Sequence, residues 1–348
     1  MTALLSRYAE CLFWFGRYTE RTACLARVLE VQTSFNRSNS ENAAGWAWLL
    51  TLYDDHEAFN KSYDRPDAQS VTRFYVSDRD NPGSLYACIH AARENARTLR
   101  ALISTDLWYH VNAFYNRFRT LPPSDLSENR LSQTCQMVKK ECYAQLGVAE
   151  ATLYRDDAWR FYQLGMLVER ADQTSRLLDV RFAQIRESGI EGMERLGDFG
   201  FWSVLLRASA AHQAYLRTHG GRREPELVAR FLILDTAQPR SVTFCANEMD
   251  RVLNELRSAS RLRVASRTLE QIDILREQLV RANSDKQLVE GLHTFNDAVQ
   301  RQLIQLSSEL SYAFFGAERP NEQGPDTAQS QTASAGNNDS QSQSQSSR

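Results

Sequence analysis

An internal repeat is the feature that most constrains the fold of this chain. The segment FGRYTERTACLARVLEV (15–31) aligns with LGMLVERADQTSRLLDV (164–180) at an offset of 149 residues. Two further pairs of segments follow in the same order, at offsets of 156 and 157 residues: 46–59 with 202–215, and 71–100 with 228–257. Three collinear blocks with nearly constant offset predict a tandem duplication.

The spacing of apolar residues determines the fold class. They recur every three or four residues along almost the whole chain, which is typical of amphipathic helices. The 348 residues include only 8 prolines and 15 glycines, as expected for long helices. We therefore predict an all-α, tandem-duplicated helical bundle, made of two pseudo-twofold-related units of five to six helices each. The first unit spans 1–149 and the second 150–317.

The periodicity also predicts the individual helices. In the first unit they cover 3–34, 41–63, 81–103, 105–119 and 127–147, with a short piece at 70–76. In the second they cover 150–188, 198–219, 239–260, 266–282 and 284–315, with a short piece at 225–234. Asn81 is predicted to cap the helix after the SDRDNPGS loop, with Pro82 at its first position.

The composition changes abruptly at the C-terminal end. Residues 327–348 contain no aromatic and no large aliphatic side chain, and they are rich in Ser, Gln and Asn. Such a segment buries too little apolar surface to offset the entropy of ordering it. We predict that 318–348 is a disordered tail.

Charge and cysteine usage limit the function classes. The 41 basic and 43 acidic residues give a net charge of −2, which is no footprint for DNA and argues against RNA. No signal peptide and no apolar run long enough for a membrane span is found. The six cysteines include no CxxC pair, which favours buried thiols and a cytoplasmic location without membrane association.

A Glu-Arg pair occurs in both copies of the first repeat block. Glu20 and Arg21 correspond to Glu169 and Arg170, and four residues before each Glu stands a glycine that lets another helix approach closely. A buried carboxylate requires a positive partner. Our preferred interpretation is an interhelical salt-bridge network, with catalysis as the alternative. The other members of this network are Arg27 and its counterpart Arg176.

Arg17 does not recur, because Met166 occupies its place in the second copy. We therefore expect Arg17 to be dispensable surface. His56 and His212 do recur, and without a second ligand at metal spacing we expect hydrogen-bonded core histidines. No metal site and no cofactor is predicted.

The SDRDNPGS loop (77–84) is a second polar cluster. Asp78, Arg79, Asp80 and Asn81 precede a helix N-terminus, where backbone N–H groups can bind an anion. The second copy keeps only the counterpart of Asp78, Asp235, so the remaining polar residues are either functional or the result of drift. The following helix adds Arg93, Glu94 and Arg97, which we interpret as a solvated charged face. Alternatively, Arg93 or Arg97 joins the loop in binding a carboxylate or phosphate.

No standard catalytic signature occurs in the chain, and no P-loop, dinucleotide-binding, nucleophile-elbow or zinc-protease motif is found. A non-enzymatic role is therefore favoured, with the question of activity left open.

Four segments together resemble the bacterial alpha-E domain family, which is named for its helices and its Glu-Arg motif. They are LSRYAECLFWFGRYTERTACLARVLEV (5–31), HEAFNKSY (56–63), SDRDNPGSLYACIHAARENARTLRALIS (77–104) and FYQLGMLVERADQTSRLLDV (161–180). The resemblance covers residues 3–316. Its motif residues are Glu20, Arg21, Glu169, Arg170, the 78–82 loop, Arg93, Glu94 and Asn95.

The resemblance also implies partners. Alpha-E proteins are encoded beside, or fused to, circularly permuted ATP-grasp proteins similar to amide-bond ligases. Transglutaminase-like cysteine peptidases, and sometimes a proteasome-like peptidase, are encoded nearby. The implied role is an accessory subunit of a peptide-synthesis or peptide-tagging system. The alternatives are an enzyme or small anionic-ligand binder at the 78–82 loop, and an RNA- or tRNA-binding module suggested by the excess of Arg over Lys.

Overall fold

The fold was analysed in a computed structural model that describes residues 4–38, 45–187, 199–222, 224–260, 266–284 and 288–319. These ranges contain fourteen α-helices and no β-strand, so the predicted all-α class is confirmed. The segment predicted as a disordered tail lies almost entirely outside the described residues.

The helices of the N-terminal half are α1 (Ser6–Ser38), α2 (Trp48–Tyr53), α3 (His56–Asn60), α4 (Ala68–Val76), α5 (Leu85–Thr98), α6 (Thr105–Arg119) and α7 (Glu128–Thr152). Those of the C-terminal half are α8 (Asp157–Glu187), α9 (Phe199–Ala208), α10 (His212–His219), α11 (Pro225–Leu234), α12 (Val242–Ser260), α13 (Ser266–Ser284) and α14 (Leu292–Leu310). A 3₁₀ turn (Pro123–Leu126) precedes α7, and a π-helical turn (Ser311–Phe315) follows α14.

Two helices that were predicted as continuous are broken. The segment predicted at 41–63 divides into α2 and α3 at Asp54, whose φ is 56°. The segment predicted at 198–219 divides into α9 and α10 at Ala210, whose φ is 52°. Both residues adopt the left-handed conformation, which ends a helix although neither is glycine. Apolar spacing continues across each break, which is why periodicity alone missed them.

Two predicted helix starts are also wrong. Helix α5 begins at Leu85, where the Ser84 hydroxyl accepts from the N–H of Ala87 at 3.1 Å. Helix α12 begins at Val242, and Ser241 accepts from Phe244 at 3.0 Å. Pro82 and Pro239 therefore lie in the turns before these helices, and the N-cap of α5 is Ser84 and not Asn81. The helix end predicted at 147 and the helix start predicted at 150 are displaced as well, because α7 continues to Thr152 and α8 begins at Asp157.

The two long helices α1 and α8 pack against each other at the centre of the molecule. Helix α1 is also packed against α5 and α7, and α8 against α12 and α14. Gly16 faces the Tyr162 carbonyl of α8, and Gly165 faces the Phe13 carbonyl of α1. The two backbones thus meet directly at a pair of glycines, one on each helix.

We expect Gly16→Ala or Gly165→Ala to destabilise the protein. A Cβ at either position would lie closer than 3.0 Å to a carbonyl oxygen of the opposite helix, so the backbones would have to separate. Overpacking of this kind costs about 1–3 kcal/mol. Gly147→Ala in α7 is the matched control, because its Cβ meets open space and alanine favours a helix by roughly 1 kcal/mol. Urea unfolding measures the free energy of unfolding of all three variants. Equal stability of the three variants would contradict the close crossing.

Candidate functional site

The Glu20 carboxylate of α1 lies fully buried near the crossing of the two long helices. Its Oε2 accepts from Arg170 Nε of α8 at 2.9 Å. Its Oε1 accepts from Arg240 Nη1, contributed by the turn before α12. One arginine of the opposite long helix and one of a loop therefore hold this carboxylate.

The Glu169 carboxylate of α8 is also fully buried, and α1 supplies both of its arginines. Arg21 binds it with two bonds, Nε to Oε1 at 2.6 Å and Nη2 to Oε2 at 3.0 Å. Arg17 Nε donates to Oε2 at 2.8 Å. Gln173 adds a donor to Oε1 at 3.1 Å. The acid of each motif is thus paired with the arginine of the other motif.

The two remaining motif arginines have other partners. Arg27 is buried, and it donates to the Ala208 carbonyl at 3.0 Å and to the Tyr143 hydroxyl at 3.2 Å. Arg176 pairs with Asp172 on its own helix at 3.0 Å. Arg27 therefore ties α1 to α7 and to the end of α9, whereas Arg176 makes an ion pair within α8.

The arginines determine the charge state of both acids. Burial alone would raise the pKa of Glu20, but the positive charges of Arg240, Arg170 and Arg27 outweigh it and hold that pKa well below its ordinary value. Burial opposes the ionised form of Glu169 as well, yet Arg21 and Arg17 lower its pKa to about 2. Both carboxylates are ionised near neutral pH with their oxygens engaged, a poor arrangement for general acid or base catalysis.

Two members of this network were missed or misassigned from the sequence. Arg17 was expected to be dispensable surface, and this is wrong, because its side chain is only 13% exposed and binds Glu169. Arg240 was not singled out, because it lies in a loop and the residue aligned with it at an offset of 157 is Gly83. A signal existed nonetheless, since each buried acid needs compensation and Arg240 is a cation that only one of the two aligned segments contains.

The 78–82 loop is held by its own polar groups. Asp78 accepts from the Tyr63 hydroxyl at 3.0 Å and from the Asp80 N–H at 2.9 Å. Asn81 is buried, and it donates to the Phe74 carbonyl and accepts from Gly83. Arg79 and Asp80 are exposed, and the Arg79 guanidinium lies 4.8 Å from the centre of the Tyr86 ring.

The polar residues that follow the loop, Arg93, Glu94 and Asn95, lie on α5. Arg93 donates to Asn112 at 2.8 Å and pairs with Glu94 at 2.6 Å. Asn95 donates to the Ala91 carbonyl on its own helix. The described contacts therefore place Arg93, Glu94 and Asn95 in local pairs of α5 and α6, and none of them joins the Glu20 and Glu169 network.

The histidine expectation is only partly met. His56 is exposed and bonds to Thr51 at 3.0 Å, so it is not a core residue, whereas His212 is half-buried. Five of the six cysteines are buried, and burial raises the pKa of Cys88 and Cys245 to about 12. Within the described ranges, no group of three or more His, Cys, Asp or Glu side chains is placed to hold a metal ion. None of the described helices has the length and apolar character of a membrane span.

Comparison with known families places the crossing in context. The profile of the Alpha-E family, described as a predicted alpha-helical domain with a conserved ER motif, matches residues 4–315. The chain belongs to the Alpha-E family. The resemblance inferred from sequence segments is thereby confirmed. The ER motif of this Alpha-E protein occurs twice, and both of its acids are buried between α1 and α8.

Curated relatives are found in mycobacteria. Uncharacterized proteins of Mycobacterium bovis and of Mycobacterium tuberculosis are each 25% identical to this Alpha-E protein over 297 residues. A second Mycobacterium tuberculosis strain has an uncharacterized protein that is 24% identical. The alignments cover 79% of this chain but 32% of each relative, so the chain spans about a third of their length. No solved structure matches it.

The network predicts a specific pH dependence of stability. The pKa of Glu169 is about 2 in the folded protein and 4.5 ordinarily. Because the folded value is the lower one, this stabilisation is present above pH 4.5 and is lost as the pH falls toward 2. At roughly 1.4 kcal/mol per pKa unit it amounts to about 3 kcal/mol.

Urea unfolding between pH 7 and pH 3 tests this dependence. Glu169→Gln should destabilise the protein at pH 7 by about 3–5 kcal/mol, since it leaves two arginines without their acid. The difference from wild type should shrink as the pH falls. Glu57→Gln is the control, because the Glu57 side chain is 90% exposed and exposed ion pairs contribute little. Parallel pH profiles of wild type and Glu169→Gln would contradict the assignment.

Proposed function

We propose that this Alpha-E protein is a non-catalytic helical subunit of an ATP-grasp amide-ligase and transglutaminase-like system for peptide synthesis or tagging. It acts there as a partner or substrate-presenting subunit. One observation carries the proposal: both motif glutamates are completely buried, and each is held by two arginines. A motif of this kind supports the fold, which leaves the outer surface for work with other proteins.

The relatives support a domain that works beside others. In the mycobacterial proteins the matching segment is 32% of the chain, so the Alpha-E part is joined to about twice its length of other sequence. A physical link of this kind favours joint action with attached or neighbouring domains. The ATP-grasp and transglutaminase-like partners themselves are drawn from the family resemblance.

We further propose that the two halves, 1–149 and 150–317, are copies of one unit. Matching contacts support this. Ser84 donates to the Asp78 carbonyl as Ser241 does to Asp235. The thiols of the residues four positions later both donate to a proline carbonyl at 3.7 Å: Cys88 to Pro82, and Cys245 to Pro239. The Glu-Arg contacts are also reciprocal, because Glu20 binds Arg170 of the second half and Glu169 binds Arg21 of the first.

The ligand-binding alternative at the 78–82 loop receives less support. The polar groups of Asp78 and Asn81 already hold the loop, and Arg93 is engaged by Asn112 and Glu94. The RNA-binding alternative rests on the excess of Arg over Lys, and the central arginines are engaged with buried carboxylates and other groups of the core.

Co-expression with an ATP-grasp protein of the kind that the family resemblance implies tests the proposal. We expect the two proteins to elute together in size-exclusion chromatography, and the Alpha-E protein to change the rate of ATP-dependent ligation. Asp80→Ala and Arg93→Ala test the ligand-site alternative, and both should leave the effect on ligation intact, because the proposal places no chemistry at the 78–82 loop. The proposal is wrong if the proteins neither bind nor alter each other's activity, or if the Alpha-E protein alone catalyses a reaction that Asp80→Ala abolishes.

A further inference from the structure

A cleft of about 400 Å³ lies between α7, α8 and α12, directly beside the Glu-Arg network. This volume falls in the range of about 300–1,000 Å³ that is usual for small-molecule sites. Helix α8 supplies Trp159, Tyr162 and Arg170 to its lining, α7 supplies Gly147, and α12 supplies Phe244. It is therefore a candidate binding site, and Arg170 belongs both to its lining and to the Glu20 ion pair.

Arg170 brings unused donors to this cleft. A guanidinium has five N–H donors. The Nε–H of Arg170 binds Glu20, and the terminal nitrogens make no hydrogen bond to the described residues. The side chain is only 17% exposed, so these N–H groups are shielded from bulk water. Carboxylates and phosphates are the acceptors that match a guanidinium edge.

The charge around Arg170 favours an anion. Glu20 is surrounded by three positive side chains, Arg170, Arg240 and Arg27, and only one of them can be neutralised by it. Both acids that line the cleft are ion-paired. Glu150 pairs with Arg155 at 2.7 Å, and Glu248 pairs at 2.9 Å with Arg251, which also binds Glu255. The positive charge of the three arginines around Glu20, one of which lines the cleft, therefore exceeds the single negative charge of that carboxylate.

Tyr162 gives a second and independent indication. It lines the cleft and is fully buried, and its hydroxyl has no hydrogen-bond partner among the described residues. A buried hydroxyl without a partner costs free energy, so native proteins rarely retain one without a reason. Tyr162 is thus an unpartnered polar side chain in the wall of the same cleft that Arg170 lines.

The rest of the lining is apolar apart from Gln163. Trp159 and Phe244 contribute aromatic faces, and Leu146, Met166 and Leu167 contribute aliphatic ones. The Arg155 guanidinium lies 3.8 Å from the centre of the Trp159 ring, which fixes that wall of the cleft. The lining therefore combines a cationic side chain that can bind an anion with space for the hydrophobic part of a ligand.

We propose that this cleft binds the carboxylate of a small compound with a hydrophobic body, of the class formed by apolar amino acids and the C-terminal residues of peptides. The Arg170 terminal N–H groups would bind the carboxylate, and Trp159 and Phe244 would contact the hydrophobic part. The inference goes beyond the proposed function, because it requires no ligase partner.

Isothermal titration calorimetry of the purified full chain tests the site. The probe is N-acetyl-L-phenylalanine, and its amide serves as the ligand control. We expect the acid to bind at least tenfold more tightly than the amide, since only the acid has the carboxylate. The same titration with L-phenylalanine and with the tripeptide Ala-Ala-Phe distinguishes a free amino acid from a peptide C-terminus. Tighter binding of either one supports the site and identifies which of the two it takes.

A matched pair of variants localises the binding. The Cβ positions of Gly147 and Gly291 both meet open space, but Gly147 lines this cleft and Gly291 a different cavity. Gly147→Trp should weaken binding of the acid at least tenfold, whereas Gly291→Trp should leave it unchanged, with melting curves as the check on folding. Equal affinity for acid and amide, unchanged affinity of a folded Gly147→Trp, or no binding of any carboxylate probe at about 5 mM would overturn the proposal.

Discussion

The structure depends on two carboxylates buried where α1 and α8 cross. A carboxylate away from water is strongly unfavourable unless cations and hydrogen bonds surround it. Glu20 and Glu169 are each one helical turn from a glycine at which the opposite backbone makes contact. The close approach brings the acid of one helix within reach of the arginines of the other. The glycine contact and the ion pairs therefore depend on each other, and the outer helices pack around them.

Much of this centre could be predicted from the sequence. Two copies of one motif, each with a glycine and a glutamate on the same helix face, are sufficient to infer a close crossing with paired charges. The helix breaks at Asp54 and Ala210 could not be inferred, because apolar periodicity continues across them and neither residue is a typical left-handed terminator.

The second arginine of each carboxylate shows why the rest was missed. Residue-by-residue comparison of the copies assumes that equivalent acids have equivalent partners. Glu169 takes its second arginine from Arg17 of α1, whereas Glu20 takes it from Arg240 of a loop. The same electrostatic requirement is met from different positions. Because neither Arg17 nor Arg240 aligns with another arginine, the comparison of the segments identified neither of them as a partner of a buried acid. Arg170 itself has two positions in the structure, since its Nε binds Glu20 and its side chain also lines a cleft.

A double-mutant cycle on Glu169 and Arg21 tests most directly whether the motif holds the fold together. The measured quantity is the free energy of unfolding of wild type, Glu169→Gln, Arg21→Gln and the double variant at pH 7. Because the two side chains share two hydrogen bonds at 2.6 and 3.0 Å, the loss in the double variant should be smaller than the sum of the single losses by at least about 1 kcal/mol. Additive losses, or single variants as stable as wild type, would contradict the account.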